Sequence, residues 1–226
     1  MDRTKISFQQ KIADTLRNNS VFTILSIFLL VGLGVLGQIG FLLSIVLIAT
    51  LYYLQKTTWE KIGLGRPKSW LKTIGLGVLL TWGILACFHW FLTPMLLEWF
   101  PMATKDISRF DTLRGNEWLL IAAIVSSWIT AGFAEELIWR GYILKHTALL
   151  LGNTSFSWGF SLVLSALAFG ALHFYQGPLG MLQTGLVGMI LGIIYICNGK
   201  KNLWLNILIH GLIDTISMIG LYLGSI

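Results

Sequence analysis

The chain has 226 residues, of which 55% are hydrophobic and 12% are charged, with a mean hydropathy of +0.75 and a formal net charge of +6. Soluble domains carry about 25% charged residues, so this composition excludes an ordinary soluble protein and indicates one that spans a membrane. The basic residues lie at the ends of apolar segments, which argues against a nucleic-acid partner, and the two cysteines provide no disulfide framework.

The first twenty residues are polar and lack the apolar core of a signal peptide. They are predicted to form a cytoplasmic arm, amphipathic or polar, over residues 1–20, ahead of a single transmembrane bundle over residues 21–226. The bundle begins with one apolar run of 34 residues, Val21–Leu54. A single helix of that length would be about 51 Å long, against a hydrocarbon core of about 30 Å. The run is therefore predicted to break near Gly37–Gly40 into two short spans.

Five more apolar segments follow, and together they predict an all-α, polytopic helix bundle with about seven transmembrane helices. They are Trp70 to about Leu97, Glu117 to about Leu150, Phe156–Tyr175, Pro178–Cys197 and Leu203 to about Leu223. If the N-terminus is cytoplasmic, all but three of the 16 lysines and arginines lie on the cytoplasmic side, as the positive-inside rule requires. An undetected half-helix would change the count by one.

The fourth span contains the stretch AGFAEELIWRG, which places Glu135 and Glu136 side by side and Arg140 one turn later. A charge at mid-membrane costs roughly 3 kcal/mol and normally faces the bundle interior or a water pocket. Glu136 and Arg140 are four residues apart, so they share a helix face and are predicted to form an ion pair. Glu135 lacks that partner and is predicted to be the working carboxylate. The alternative is that both glutamates merely pair with cations at the helix end.

Two later spans carry polar groups at helical spacing. FGALHF places Phe169 and His173 on one face of the fifth span, although a single intramembrane histidine can also be a packing residue. NILIHGLID places Asn206, His210 and Asp214 at four-residue steps along the seventh span. This stripe predicts either a functional site or a structural polar seam between helices.

One glutamate and two histidines from three helices can activate water, because a buried carboxylate suits general-base work and polar donors can stabilise an oxyanion. Glu135, His173 and His210 also match the donor types of a zinc site, so no cofactor is favoured but zinc is possible. Glu136 and His210 lie about 14 Å from a cytoplasmic helix end, and His173 lies about 26 Å from one. This difference in depth argues against tight ligation of a metal by His173.

Three motifs occur in order along the chain: Glu135-Glu136-x-x-x-Arg140, Phe169-x-x-x-His173 and His210-x-x-x-Asp214. Together they resemble the signature motifs of the CPBP family of intramembrane proteases, which includes the CAAX prenyl endopeptidase of the Rce1 type and bacterial Abi proteins. The resemblance covers the four C-terminal spans. It implies that the first glutamate activates water and that the histidines are catalytic or bind a metal. The last position is often asparagine in the family. Asp214 cannot donate a hydrogen bond unless protonated, and Asn206 could substitute for it as an oxyanion donor.

The resemblance implies an intramembrane endopeptidase in a bacterial plasma membrane. Its partners would be a peptide or membrane-protein substrate and the lipid bilayer. An alternative that the resemblance leaves open is a non-catalytic membrane partner, such as a bacteriocin-immunity or sensor-regulating protein. A proton-coupled transporter would predict repeat symmetry between two halves, and the sequence contains no such repeat.

Overall fold

The computed structural model of the protein describes residues 8–225, and within that range it contains helices and no strand. The long helices are α1 (Phe8–Asn18), α2 (Ser20–Gly34), α3 (Gly37–Leu54), α4 (Trp70–Trp99), α5 (Glu117–Leu150), α6 (Ser155–Leu172), α7 (Gly177–Cys197) and α8 (Trp204–Leu223). Helices α3 to α8 are long and apolar enough to cross a membrane. The predicted all-α, polytopic fold is therefore confirmed.

Helix α2 decides whether the count of spans is six or seven. It has 15 residues, about 22 Å at the standard rise, and it meets α1 at a bend of 72°. Ser26 Oγ lies 2.7 Å from the hydroxyl of Tyr142 on α5, and the other end, at Gly34, packs against Leu172 on α6. The structure therefore has six helices that could cross a membrane, or seven if α1 and α2 together are counted as one bent span, and the predicted number of about seven lies within this range.

The apolar run Val21–Leu54 breaks close to the predicted position. Helix α2 ends at Gly34, and α3 begins at Gly37. Gly37 has a φ of 61°, in the left-handed region where only glycine is free of a steric cost. The two helices thus form an antiparallel hairpin.

The predicted N-terminal arm contains α1. Arg17 Nε donates a hydrogen bond to the carbonyl of Gln55 at 2.8 Å, and Ala13 is buried. Helix α1 therefore lies against the end of α3. Residues 1–7 of the predicted arm, and Ile226 at the end of the predicted bundle, lie outside the described residues. The cytoplasmic location of the N-terminus stays a prediction.

The centre of α5 has a widened helical backbone. Two consecutive segments, Trp128–Glu135 and Leu137–Leu144, are wound as π-helix. Such turns are rare and occur often at functional sites. Here they coincide with the stretch that carries Glu135 and Glu136, and they change the directions in which side chains leave the helix.

The loop after α3 draws the start of α8 into the bundle. The carbonyl of Gly63 accepts a hydrogen bond from the backbone N–H of Leu203 at 2.8 Å, and Leu203 is fully buried. Gly63 has a φ of 104°, and a side chain there would lie 2.9 Å from Leu203. His210 lies about 9 Å from the start of α8, whereas Glu136 lies about 21 Å from the end of α5. The two side chains reach the same level because α8 starts inside the bundle.

Helices α6 and α7 pack backbone to backbone. A Cβ at Gly170 would lie 2.7 Å from the carbonyl of Met181 and 3.0 Å from the Cα of Gly185. One turn away, a Cβ at Gly188 would lie 2.7 Å from the ring of Phe169. Small residues allow this approach, and it fixes Phe169 in the centre of the bundle.

Candidate active site

The predicted ion pair on α5 is present and is completely enclosed. Arg140 Nη1 lies 2.6 Å from Glu136 Oε1, with the side chains 2% and 0% exposed. Arg140 Nη2 also donates a hydrogen bond to the carbonyl of Gly188 on α7, at 2.9 Å. The pair thus joins α5 to α7, a link that the sequence pattern did not indicate.

His210 on α8 lies between the two glutamates. Its Nδ1 is 2.8 Å from Glu136 Oε1, the oxygen that also accepts from Arg140. A carboxylate oxygen can only accept here, so Nδ1 is the donor. The other ring nitrogen, Nε2, lies 3.9 Å from Glu135 Oε2. That separation is too long for a hydrogen bond, and a water molecule within reach of both atoms could bridge it.

Glu135 is buried, with 4% of its surface exposed. Within residues 8–225 it accepts no hydrogen bond, and its one ion-pair contact is with His210, which is ionic only when that ring is protonated. Glu136, in contrast, accepts from two side chains. The predicted difference between the two glutamates, one held by an ion pair and one free, is therefore present in the structure. Its catalytic meaning stays a prediction.

Phe169, and not His173, is the α6 residue that reaches the level of the ion pair. The guanidinium of Arg140 lies 5.1 Å from the Phe169 ring centroid, and the His210 ring lies 6.3 Å from it. His173 is one turn further along, with its ring 4.7 Å from Phe169 and its Nδ1 bonded to the Phe169 carbonyl at 2.7 Å. Because His173 lies one turn beyond Phe169, it is at a different depth from Glu136 and His210, as the sequence predicted.

His173 makes no hydrogen bond or ion pair with either glutamate in the described part of the chain. A zinc site would need its three protein ligands within about 2.0–2.2 Å of one point. Among residues 8–225, no three His, Cys, Asp or Glu side chains lie close enough together to hold a metal ion. As they are placed, Glu135, His173 and His210 do not fit a zinc site.

The polar stripe on α8 divides into different environments. Asn206 is fully buried, and its amide donates to the carbonyl of Leu191 on α7 at 2.7 Å. The side-chain amide of Asn206 therefore joins α8 to α7. This contact argues against the predicted role of Asn206 as an oxyanion donor. Asp214 is half-buried, one turn beyond His210, and close enough to Glu135 to interact electrostatically.

Two glycines set the distance between α5 and α8 beside the site. A Cβ at Gly132 would lie 3.4 Å from the Cα of Gly211, and a Cβ at Gly211 would lie 2.7 Å from the indole ring of Trp128. That indole is held in place, since its Nε1 donates to Thr215 Oγ1 at 3.0 Å. Gly211 directly follows His210. The sequence shows a glycine close to each motif. It does not show that Gly132 and Gly211 face each other.

We expect Gly211→Ala to lower both stability and activity. The new methyl group would push a held indole ring and separate His210 from the glutamates, and overpacking of this kind costs about 1–3 kcal/mol. Thermal unfolding in detergent and peptide hydrolysis would measure the two effects. Gly83→Ala on α4 is the control, because nothing lies within 4 Å of a Cβ there. Equal melting of the two variants would show that the crossing is looser than described.

One hollow in the described part of the chain lies away from these residues. It has a volume of about 600 Å³ and is lined by α3 and α5, from Gln38 to Leu42 and from Trp118 to Thr130. None of the site residues lines it. This hollow is therefore not part of the candidate site.

Residues 117–216 match the family described as type II CAAX prenyl endopeptidase Rce1-like. This segment runs from the start of α5 into α8 and contains all three motifs, so the resemblance predicted from the motifs is confirmed there. No curated protein and no solved structure matches the chain. Together with the apolar helices, the match indicates a multi-pass membrane protein that is similar to a family of membrane proteases.

Proposed function

We propose that this protein is an intramembrane endopeptidase that hydrolyses peptide bonds of membrane-associated peptides or proteins, with Glu135 as the base that activates water. The observation that carries the proposal is the position of the free carboxylate. It is buried, it accepts no hydrogen bond from any residue that the structure describes, and it lies 3.9 Å from Nε2 of His210. The similarity of residues 117–216 to a protease family supports it.

The arrangement supports the following reaction. Glu135 removes a proton from the bridging water while the water oxygen bonds to the peptide carbonyl carbon, which gives a tetrahedral oxyanion and a protonated Glu135. His210 orients the water through Nε2, because its Nδ1 is fixed on Glu136. When the C–N bond breaks, the proton held by Glu135 passes to the leaving amine. Asp214 can donate to the oxyanion only when it is protonated.

Glu136 and Arg140 have a positioning role in this proposal. Glu136 orients His210, and Arg140 compensates the charge of Glu136 while it holds the carbonyl of Gly188. Buried charges need such partners, because an unpaired one is costly away from water. The distribution of lysine and arginine supports an N-terminus in the cytoplasm. We propose a bacterial plasma membrane as the location because the motifs resemble those of a family with bacterial members.

The test compares membranes that contain the wild-type protein with membranes that contain Glu135→Ala. We expect mass spectrometry to find uncleaved precursor peptides or proteins that accumulate only with the variant. His89→Ala is the control, because His89 is an exposed residue of α4 that contacts Trp90. Identical peptide profiles for wild type and Glu135→Ala would overturn the proposal and favour a non-catalytic membrane partner.

A further inference from the structure

The loop of residues 100–116, between α4 and α5, folds over the junction of α6 and α7. The backbone N–H of Asp106 donates to the carbonyl of Gln176 at 2.8 Å, and the N–H of Leu179 donates to the carbonyl of Thr104 at 3.0 Å. Gly177 approaches the same carbonyl so closely that a Cβ there would lie 2.7 Å from it. These contacts hold the loop next to His173, at one end of the candidate site.

The loop places a cation at the edge of the site. The guanidinium carbon of Arg109 lies 4.3 Å from the ring centroid of Tyr175, and the Tyr175 ring lies 5.6 Å from that of His173. Tyr175 is also close enough to Glu135 and Asp214 to interact with them electrostatically. Arg109 thus stands one aromatic ring away from His173, at the edge of the candidate site.

Arg109 has no anionic partner within residues 8–225. Asp106 lies on the same loop, but its carboxylate accepts from Ser108, at 2.6 Å from the hydroxyl and 2.9 Å from the N–H. Cation–π pairs alone are common, about one per 70–80 residues. The guanidinium carbon lies near two rings, 4.3 Å from the centroid of Tyr175 and 5.6 Å from that of Phe110, and the side chain donates no hydrogen bond to any of residues 8–225. The N–H groups of a guanidinium can bind a carboxylate in a bidentate geometry.

The second arginine of the loop, Arg114, has a structural role that can be compared with the position of Arg109. Arg114 contacts Gly224 at the C-terminal end of α8, where a cation complements the helix dipole. Arg109 is exposed, and although α6 ends nearby, at Leu172, the guanidinium makes no hydrogen bond with the described residues there. Arg109 lies beside the site, and its N–H groups have no anionic acceptor within residues 8–225. We therefore expect the acceptor to belong to a bound molecule.

We propose that Arg109, stacked on Tyr175, binds a carboxylate of the substrate peptide near the scissile bond. The residue would then select substrates by charge and take no part in the bond-breaking step. The carboxylate could come from the C-terminus of the peptide or from an acidic side chain. This inference rests on the proposed function for the nature of the ligand, but its geometry is independent of how water is activated.

The test measures binding in the Glu135→Gln protein, so that hydrolysis does not interfere. The probes are three fluorescein-labelled, N-terminally acylated hexapeptides of one apolar sequence: a free acid, its carboxamide, and a carboxamide in which the last residue is glutamate. We expect the free acid to bind about tenfold more tightly than its carboxamide, because only the carboxylate can form a charge-assisted hydrogen bond with Arg109. Adding Arg109→Gln should reduce its affinity to that of the carboxamide, and Arg109→Lys should restore part of the difference.

Lys105→Gln is the matched control, because it removes one exposed positive charge from the same loop and should leave the preference unchanged. Tight binding of the glutamate peptide through Arg109 would identify an acidic side chain as a source of the carboxylate, and binding of the free acid alone would identify the C-terminus; either result supports the inference. Equal binding of acid and carboxamide, no binding of any probe, or a preference that survives Arg109→Gln would overturn it.

Cleavage of the same peptides by the wild-type protein separates the two proposals. Acid-selective binding without cleavage would contradict the endopeptidase and leave the Arg109 site standing. Cleavage that does not depend on Arg109 would contradict the site and leave the endopeptidase standing.

Discussion

Glu135→Gln is expected to abolish peptide hydrolysis and to leave the fold intact. Glutamine has nearly the same shape, and Glu135 accepts no hydrogen bond from residues 8–225 that the change would break. The amide cannot take a proton from water, and loss of a positioned general base costs about 10²–10⁴-fold in rate. The hydrolysis rate and the thermal unfolding curve of the purified protein would be measured in the same detergent.

Glu117→Gln is the matched control for this experiment. It makes the same chemical change on the same helix, at an exposed residue at the start of α5, and should keep the wild-type rate. Full activity of Glu135→Gln would show that Glu135 does not activate water. A loss of activity together with a large drop in unfolding temperature would mean that the carboxylate is structural.

Glu136→Ala and Arg140→Ala are each expected to destabilise the protein strongly as well as to inactivate it. Without Glu136, the buried guanidinium loses its anionic partner and Nδ1 of His210 loses its acceptor. Without Arg140, Glu136 keeps only His210 as a donor among residues 8–225, and the carbonyl of Gly188 loses its side-chain donor. Removing one partner of a buried pair costs about 3–5 kcal/mol. Chemical or thermal unfolding in detergent would measure this loss.

A double replacement separates the pair from the two individual charges. Glu136→Leu combined with Arg140→Leu removes both charges, so it should recover part of the stability while remaining inactive. The exposed pair of Asp14 and Arg17, 3.8 Å apart with side chains 46% and 39% exposed, gives the control. Asp14→Ala should cost no more than about 1 kcal/mol. If Glu136→Ala melts like Asp14→Ala, the buried ion pair does not form.

The local geometry of the site was predictable from spacing along one helix. Glu136 and Arg140 are four residues apart, and neighbours at that spacing meet on a helix whatever else surrounds them. The same rule left Glu135 without a cation, and the structure agrees. The membrane spans followed from the length of apolar runs, because the bilayer sets how many residues a crossing needs.

The partners across helices were not predictable. His210 bonds to Glu136, Arg140 bonds to the carbonyl of Gly188, and Asn206 bonds to Leu191. Each of these bonds joins residues that are far apart in the chain. The sequence placed both histidines in the site without saying which one would reach a glutamate.

The sequence by itself determined the class of the protein, the approximate helix boundaries and the charged pair on α5, because these depend on composition and on contacts within one helix. Only the tertiary structure decided that His210 lies between the glutamates, that Phe169 separates it from His173, and that Arg109 reaches the edge of the site. The physical reason is that depth and contact between helices depend on where each helix begins and how closely its small residues allow a neighbour to approach. The buried contact between Leu203 and Gly63 ahead of α8 and the π-helical turns of α5 set those positions, and neither leaves a periodic signal in the sequence.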